Sequence, residues 1–270
     1  MEPQAISNFA HCEALVREAD PDRYWASVFA PADKRPYLHA LYAFNFEIAR
    51  VRESVREALV GEIRLQWWRD ALQGEARGDV RSNPIAAALD DTIVQFRLPR
   101  QSLVDLIDAR IFDLYDDPMP NLNDLEGYCG ETSSSLIQIS SVILANGSNP
   151  GTADAAGHAG VAYAITGLLR AFPHHARQGQ VYVPADILAR HGVVREDIVT
   201  GRGGPIWPRG CRAASFRWRR SNAPTVIPDA ERRSGIARRE WLTSPSGRRS
   251  SEPYPAHDPG SPLRSIRDDA

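Results

Sequence analysis

An all-α fold is what this amino-acid sequence predicts, and three observations carry that reading. Apolar side chains recur at helical spacing, as in Leu103, Ile107, Ile111 and Leu114 and again in Val161, Ile165, Leu168 and Phe172. Capping residues followed by proline mark helix starts at Asp20-Pro21 and Asn83-Pro84. No stretch keeps the alternating, β-branched pattern of a strand for more than a few residues, and nothing repeats at a fixed period.

In chain order, helices are expected over 4–18, 22–29, 31–54, 57–76, 84–97, 100–115, 122–146, 152–177 and 184–191. The second follows the Asp20 cap and the fifth the Asn83 cap. The Leu103 stripe lies on the sixth and the Val161 stripe on the eighth. Thr152 and Pro184 supply start signals for the last two, and Glu131 with Thr132 and Ser133 to Ser135 reads as a further helix start. Breakers separate elements at DPMPNLND (117–124) and NGSNPG (146–151). Pro173 lacks a backbone donor and is expected to kink or end the eighth helix.

Composition narrows the class. At 270 residues the chain has room for one large domain or two ordinary ones. Its cysteines, Cys12, Cys129 and Cys211, form no CxxC pair, which argues against a zinc ribbon or disulfide scaffold and fits a reducing compartment. The N-terminal segment carries acids where a secretory signal needs a basic start and an apolar run, so no signal is expected. No run approaches the roughly 18 apolar residues of a spanning helix. The expected location is cytoplasmic, with peripheral contact to an inner membrane as the furthest departure from it.

The formal net charge of −2 conceals a division. Residues 1–200 carry 18 basic and 27 acidic side chains, a net −9, whereas residues 201–270 carry 14 arginines and 7 acids, a net +7. Those last 70 residues also hold nine prolines, nine serines, seven glycines and only two leucines. Such a segment cannot bury enough apolar area to offset its ordering entropy. Residues 1–202 therefore read as one helical domain, and 203–270 as an Arg/Pro/Ser/Gly-rich disordered tail.

The sequence lacks GxxxxGKS/T, GxGxxG after a strand, HExxH and GxSxG, so the classes those motifs mark have no support. Chemistry-bearing residues gather instead at 42–54, 61–72 and 161–184. Three segments, LYAFNFEIARVRE (41–53), ETSSSL (131–136) and LLRAFPHHARQGQVYVPADIL (168–188), resemble the squalene/phytoene synthase family of head-to-head prenyltransferases. The resemblance covers roughly residues 10–200. Its last segment follows a family pattern of the type NxLRDxxEDxxxGRxYLP. Arg170, Gly179, Tyr182 and Pro184 keep their places, Arg177 fills a variable but often basic position, and Gln180 stands where the pattern has arginine.

The resemblance implies an isoprenoid-synthase-like helical bundle. In that family acids three or four residues apart on facing helices hold Mg²⁺ against a substrate diphosphate. Here the leading Asp of the first cluster falls on Ala49, and only Glu53 keeps a carboxylate. The acids of the second cluster fall on Ala171, His174 and His175. Alanine offers no ligand, and imidazole suits Zn²⁺, Cu²⁺ or Fe²⁺ better than Mg²⁺. No catalytic residue and no metal site is assigned; Glu53 is the one weak metal candidate, and Mg²⁺ the cofactor only of an active form. RAFPHH and QWWRDAL further resemble a degenerate branch of the family linked to assembly of respiratory complex I. That implies a retained fold without the metal chemistry, a prenyl diphosphate or isoprenoid lipid as ligand, and respiratory-complex subunits as partners. The alternative is an active transferase that condenses two prenyl diphosphates head to head. A purely structural helical interaction protein stands behind both.

Each candidate residue also has an ordinary reading. Neighbouring His174 and His175 point about 100° apart on a helix and seldom chelate together; capping a helix end or lining a vestigial pocket is the readier account. Arg50, Arg52, Arg170 and Arg177 with Tyr182 form the candidate diphosphate-binding set, since guanidinium holds such oxygens in bidentate fashion. Salt bridges to Glu47, Glu53 or Glu62 would occupy the same arginines. Trp67 and Trp68 read as core or as a docking surface, with a prenyl-tunnel wall as the further alternative. For Glu131 with Thr132 and Ser133 to Ser135, the alternative to a helix start is substrate binding.

The family continues past about residue 200 with Ala/Leu-rich helices that complete its bundle. From about residue 203 this chain has instead the composition of GC-rich DNA read out of frame, and a frameshift near Gly204 is expected. The bundle would then lack its last helices, with apolar faces left open. The alternative is a basic arm in which Trp207, Phe216 and Trp218 interleave with arginines to meet anionic lipid or nucleic acid, nucleic acid being the less expected partner.

Overall fold

Capping chemistry starts helices where the sequence signals them. The Asn83 side chain accepts from the backbone N–H groups of Ile85 and Ala86 at 2.9 and 3.1 Å, satisfying two donors that a helix start leaves open. Asp20 accepts from the Arg23 N–H in the same way at 3.3 Å. The computed structural model describes residues 3–201, and among these the chain is a succession of helices with no strand. They are α1 (Pro3–Ala19), α2 (Pro21–Ser27), α3 (Arg35–Ala49), α4 (Val51–Ser54), α5 (Ala58–Gln73), α6 (Pro84–Phe96), α7 (Arg100–Ile111), α8 (Leu122–Cys129), α9 (Ser135–Leu144), α10 (Ala153–Arg177), α11 (Ala185–Arg190) and α12 (Arg195–Val199). Short 3₁₀ turns occupy Val80–Ser82 and Phe112–Leu114.

Several boundaries depart from expectation. The helix expected from residue 31 begins at Arg35, because Pro36 has no N–H for an interior position and suits the first turn. It also breaks at Arg50 (φ −85°, ψ 0°), so Ala49 ends α3 while Glu53 lies on α4. Nothing in the residue types around Arg50 announces that break. The Glu131 to Ser135 segment is not a helix start. Gly130–Ser134 form a π-helical turn that joins α8 to α9 within one continuous run. Nor does Pro173 end its helix: α10 continues to Arg177. α12 was not anticipated, and the sequence expectations for residues 203–270 lie outside the described residues.

The main core forms where α1, α3, α5, α6, α7 and α9 bring their stripes together around Phe44, Leu41, Ile48, Leu65, Leu103 and Ile107. Trp68 is part of it, and half-buried Trp67 packs against it from the edge. α10 packs across α8, the π turn and α9, and α12 returns against its end. Two smaller clusters sit beneath it. Tyr182, Tyr128 and Met119 meet the Val161, Ile165 and Leu168 stripe in one, while Val181, Ala176 and Ile198 meet Phe172 in the other. α10 buries only Ala156, Gly160 and Ala176 of its 25 residues, so it is supported along one side. Leu169 and Tyr163 are exposed on it, as are Trp25 and Phe29 at the end of α2.

Candidate functional site

A close helix crossing seats α10, which carries the second family motif, against the π turn. A Cβ on Gly160 of α10 would lie 2.3 Å from the Ser134 Cα, so only glycine allows the two backbones to approach this far. The Ser134 hydroxyl donates to the Gly157 carbonyl at 2.8 Å across the same contact. At the far end of α10, Gly179 adopts φ +83° and turns the chain so that Val181 and Tyr182 fold back under the helix. That left-handed conformation gives the family's glycine a physical reason here.

This frame brings His174 of α10 to Glu53 of α4, with Nε2 3.5 Å from Oε1. The first-motif and second-motif positions thus meet directly. Both side chains are more than half exposed, so the pair is screened and contributes at most about 1 kcal/mol. Next to it, Arg52 donates to Asp116 at 2.9 Å, and Asp116 lies against the open side of Gly179. His175 is half-buried, its ring 5.1 Å from that of Tyr182. Burial, and then the charge of His174, hold its pKa below the ordinary histidine value, which favours the neutral imidazole.

Behind the histidines lies a buried polar knot that sequence reasoning missed. Asp113 accepts from the Tyr128 hydroxyl at 2.8 Å and the Tyr182 hydroxyl at 2.7 Å on one oxygen, and from Arg110 at 3.1 Å on the other. Arg110 also donates to the Tyr128 oxygen at 2.8 Å. Gln180 completes the knot through its amide, which donates to the Asp113 carbonyl at 2.6 Å. Burial, reinforced in Tyr182 by the Asp113 charge, pushes both tyrosine pKa values well above their ordinary value, so both remain donors. The acid-rich run DLYDDP after α7 was the available signal, but nothing in its spacing marked Asp113 as the buried member.

The five candidate diphosphate ligands do not converge. Arg50 pairs with Glu47 at 3.6 Å, as the ordinary reading held, and lines a separate cleft with Ser54, Arg64 and Trp67. Arg52 pairs with Asp116, and Arg170 reaches Asp22 of α2 at 3.7 Å. These partners replace the expected Glu53 and Glu62, which instead meet His174 and Tyr115. Arg177 is exposed and makes no ion pair among the described residues. Tyr182 turns its hydroxyl to Asp113 inside the protein.

The residues present do not fit the family's Mg²⁺ ions. Methyl groups stand at Ala49 and Ala171, imidazoles at His174 and His175, and the retained carboxylate of Glu53 is already in contact with His174. Among the described residues no group of three or more His, Cys, Asp or Glu side chains is placed to hold a metal ion.

The human NADH dehydrogenase (ubiquinone) complex I, assembly factor 6 is 34% identical over 198 residues, which are 73% of this chain and 59% of that protein. The chain therefore spans less than two thirds of that relative. Chloroplastic phytoene synthase 1 of Arabidopsis thaliana is 24% identical over 204 residues, 74% of this chain and 48% of that one. The crystal structure of squalene synthase HpnC from Alicyclobacillus acidocaldarius shares the fold, with a TM-score of 0.60 at 22% identity over 74% of each chain. The squalene/phytoene synthase family model matches residues 16–217. An all-α bundle whose two motif helices meet through Glu53 and His174 thus belongs, on that match, to the squalene/phytoene synthase family.

Proposed function

We propose that this protein supports assembly of respiratory complex I and has left the family's metal-dependent condensation behind, keeping the fold as a binding scaffold for a prenyl diphosphate or isoprenoid lipid. One observation carries the reading: a Glu53–His174 contact stands where the reaction requires opposed carboxylates. Facing carboxylates repel unless cations lie between them, whereas a carboxylate and an imidazole close on each other without a metal. The likeness to complex I assembly factor 6 proteins supplies the partner class. Arg177, without an ion pair among the described residues, and Arg52 and Arg170, which would exchange Asp116 and Asp22 for the ligand, are the candidates for its anionic end, and peripheral contact with an inner membrane fits that partner.

The test has two parts. Incubation of the full chain with farnesyl or geranylgeranyl diphosphate, Mg²⁺ and NADPH is expected to release no diphosphate. Release that Glu53→Ala abolishes would overturn the non-catalytic reading in favour of an active head-to-head transferase. Deletion of the gene in its host is expected to lower assembled complex I, measured as NADH:quinone oxidoreductase activity in isolated membranes. Undiminished activity would remove the assembly role.

A further inference from the structure

α5 carries a second apolar stripe that the core does not use. Its buried side is Gly61, Leu65, Trp68 and Leu72. At about 100° per residue, Leu59, Val60 and Ile63 project from the opposite side. Leu59 and Ile63 are 65% and 62% exposed, and half-buried Trp67 lies one turn further on. An outward stripe directly opposite the buried one is not needed to pack the helix, and contiguous exposed apolar groups mark an interaction surface.

The charges around the stripe say what kind of surface it meets. Arg64 flanks it on α5 and Arg56 precedes the helix by two residues, both exposed, and neither has a carboxylate partner among the described residues; Arg64 donates only to the Ser54 hydroxyl, at 2.7 Å. Most nearby acids are engaged elsewhere, Glu53 with His174, Glu62 with Tyr115, Asp70 with Gln66 and Glu47, which lines the same cleft, with Arg50, which leaves Glu57 as the opposing charge beside the first turn. Arg64 also lines a cleft of about 260 Å³ together with Arg50, Ser54, Trp67 and Asn83. None of Ala49, Glu53 and His174 lines that cleft. The cleft is therefore separate from the Glu53–His174 contact. Residues 1–200 carry a net −9, so within them attraction to an anionic surface has to be local, and Arg56 and Arg64 supply it; the 14 arginines of residues 201–270 are a separate source of positive charge. No helix among the described residues is long and apolar enough to cross a membrane, so any lipid contact made through them is interfacial.

We propose that this face docks the protein on an anionic phospholipid bilayer. α5 lies in the interface, with Leu59, Val60 and Ile63 among the upper acyl carbons, Trp67 at the headgroup boundary, and Arg56 and Arg64 on lipid phosphates. The cleft beside Arg50 and Arg64 receives one such phosphate. This gives the peripheral membrane contact of the proposed function a definite surface, and it rests on that reading only for location; no isoprenoid need bind.

Flotation of the full chain with lipid vesicles tests it. Binding is expected to vesicles of phosphatidylcholine with about 30 mol % phosphatidylglycerol and not to phosphatidylcholine alone. The Leu59→Glu/Ile63→Glu double variant is expected to lose binding by more than about tenfold, and Arg56→Gln/Arg64→Gln by about tenfold together with most of its salt dependence. Val94→Glu, at an equally exposed apolar position on α6, should bind as the parent does. All these side chains are exposed or bordering, and unchanged helicity and melting of each variant exclude misfolding as the cause. Failure to float with anionic vesicles, retention of binding by the α5 variants, or an equal loss in Val94→Glu would each overturn the proposal. None of those outcomes alters complex I activity in the deletion experiment, so the two readings fail separately.

Discussion

At Asp113 one buried carboxylate receives Tyr128, Tyr182 and Arg110 while its carbonyl receives Gln180. Removing a donor leaves part of a buried charge unsatisfied, which costs about 1–3 kcal/mol. Tyr182→Phe is therefore expected to lower the unfolding free energy by that amount, measured by urea titration, while Arg177→Ala, exposed and without an ion pair, changes it by less than about 0.5 kcal/mol. Equal effects would mean that Tyr182 is not held by Asp113. His39 makes a second residue-scale case. The Ser27 hydroxyl donates to the Tyr24 carbonyl at 2.7 Å, so its oxygen accepts from His39 Nε2 at 2.8 Å. The proton then sits on Nε2, and the buried Nδ1 has no partner among the described residues. Burial lowers the His39 pKa, because protonation would place a second donor where nothing accepts it. The unfolded chain thus binds a proton below about pH 6.5 that the folded chain resists, and stability falls with pH through that range. His175 acts in the same direction. Thermal melts from about pH 7.5 to 5.5 should show a falling Tm, with a shallower slope in His39→Gln.

Two glycines on one helix separate fold requirement from composition at the scale of the element. Gly160 meets the Ser134 backbone at 2.3 Å from an added Cβ, whereas nothing lies within 4 Å of one on Gly167. Gly160→Ala must force α10 away from the π turn and is expected to destabilise by about 1–3 kcal/mol. Gly167→Ala removes only backbone freedom and should stabilise by about 0.5–1 kcal/mol. Chemical denaturation of the two variants gives opposite signs if the crossing is as described. Much of α10 was legible beforehand: the Val161 to Phe172 stripe does face the protein, and the Thr152 start is within one residue of the observed one. Its passage through Pro173 lay within the expected 152–177 span, although the residue type by itself read as a kink or an end. The proline's local effect is known from its type, but whether the helix survives depends on packing such as that of Phe172 and Ala176 against Val181 and Ile198, which is tertiary. The π turn was hidden for a related reason. Thr132 and Ser135 return their hydroxyls to the Tyr128 and Gly130 carbonyls, and such hydroxyl-rich stretches read locally as caps.

For the molecule as a whole, the helical fold and the family were carried by sequence, and so were the vacancies in its chemistry. Residue type alone determined that Ala49 and Ala171 offer no metal ligand, since no packing converts a methyl group into a donor. Periodicity determined which faces of α7 and α10 turn inward, because burying apolar area is the dominant favourable term in folding. Only the tertiary structure decided the pairings. Glu53 meets His174, Arg52 meets Asp116, and Asp113 rather than a ligand takes the Tyr182 hydroxyl. Residues far apart in sequence choose partners by how helices cross, and α10 crosses the π turn at a close approach through Gly160 and ends at a left-handed turn at Gly179. The outward stripe of α5 is the converse case: its apolar residues were plain in the sequence, but a single periodicity cannot say which of two opposite apolar faces the core will claim.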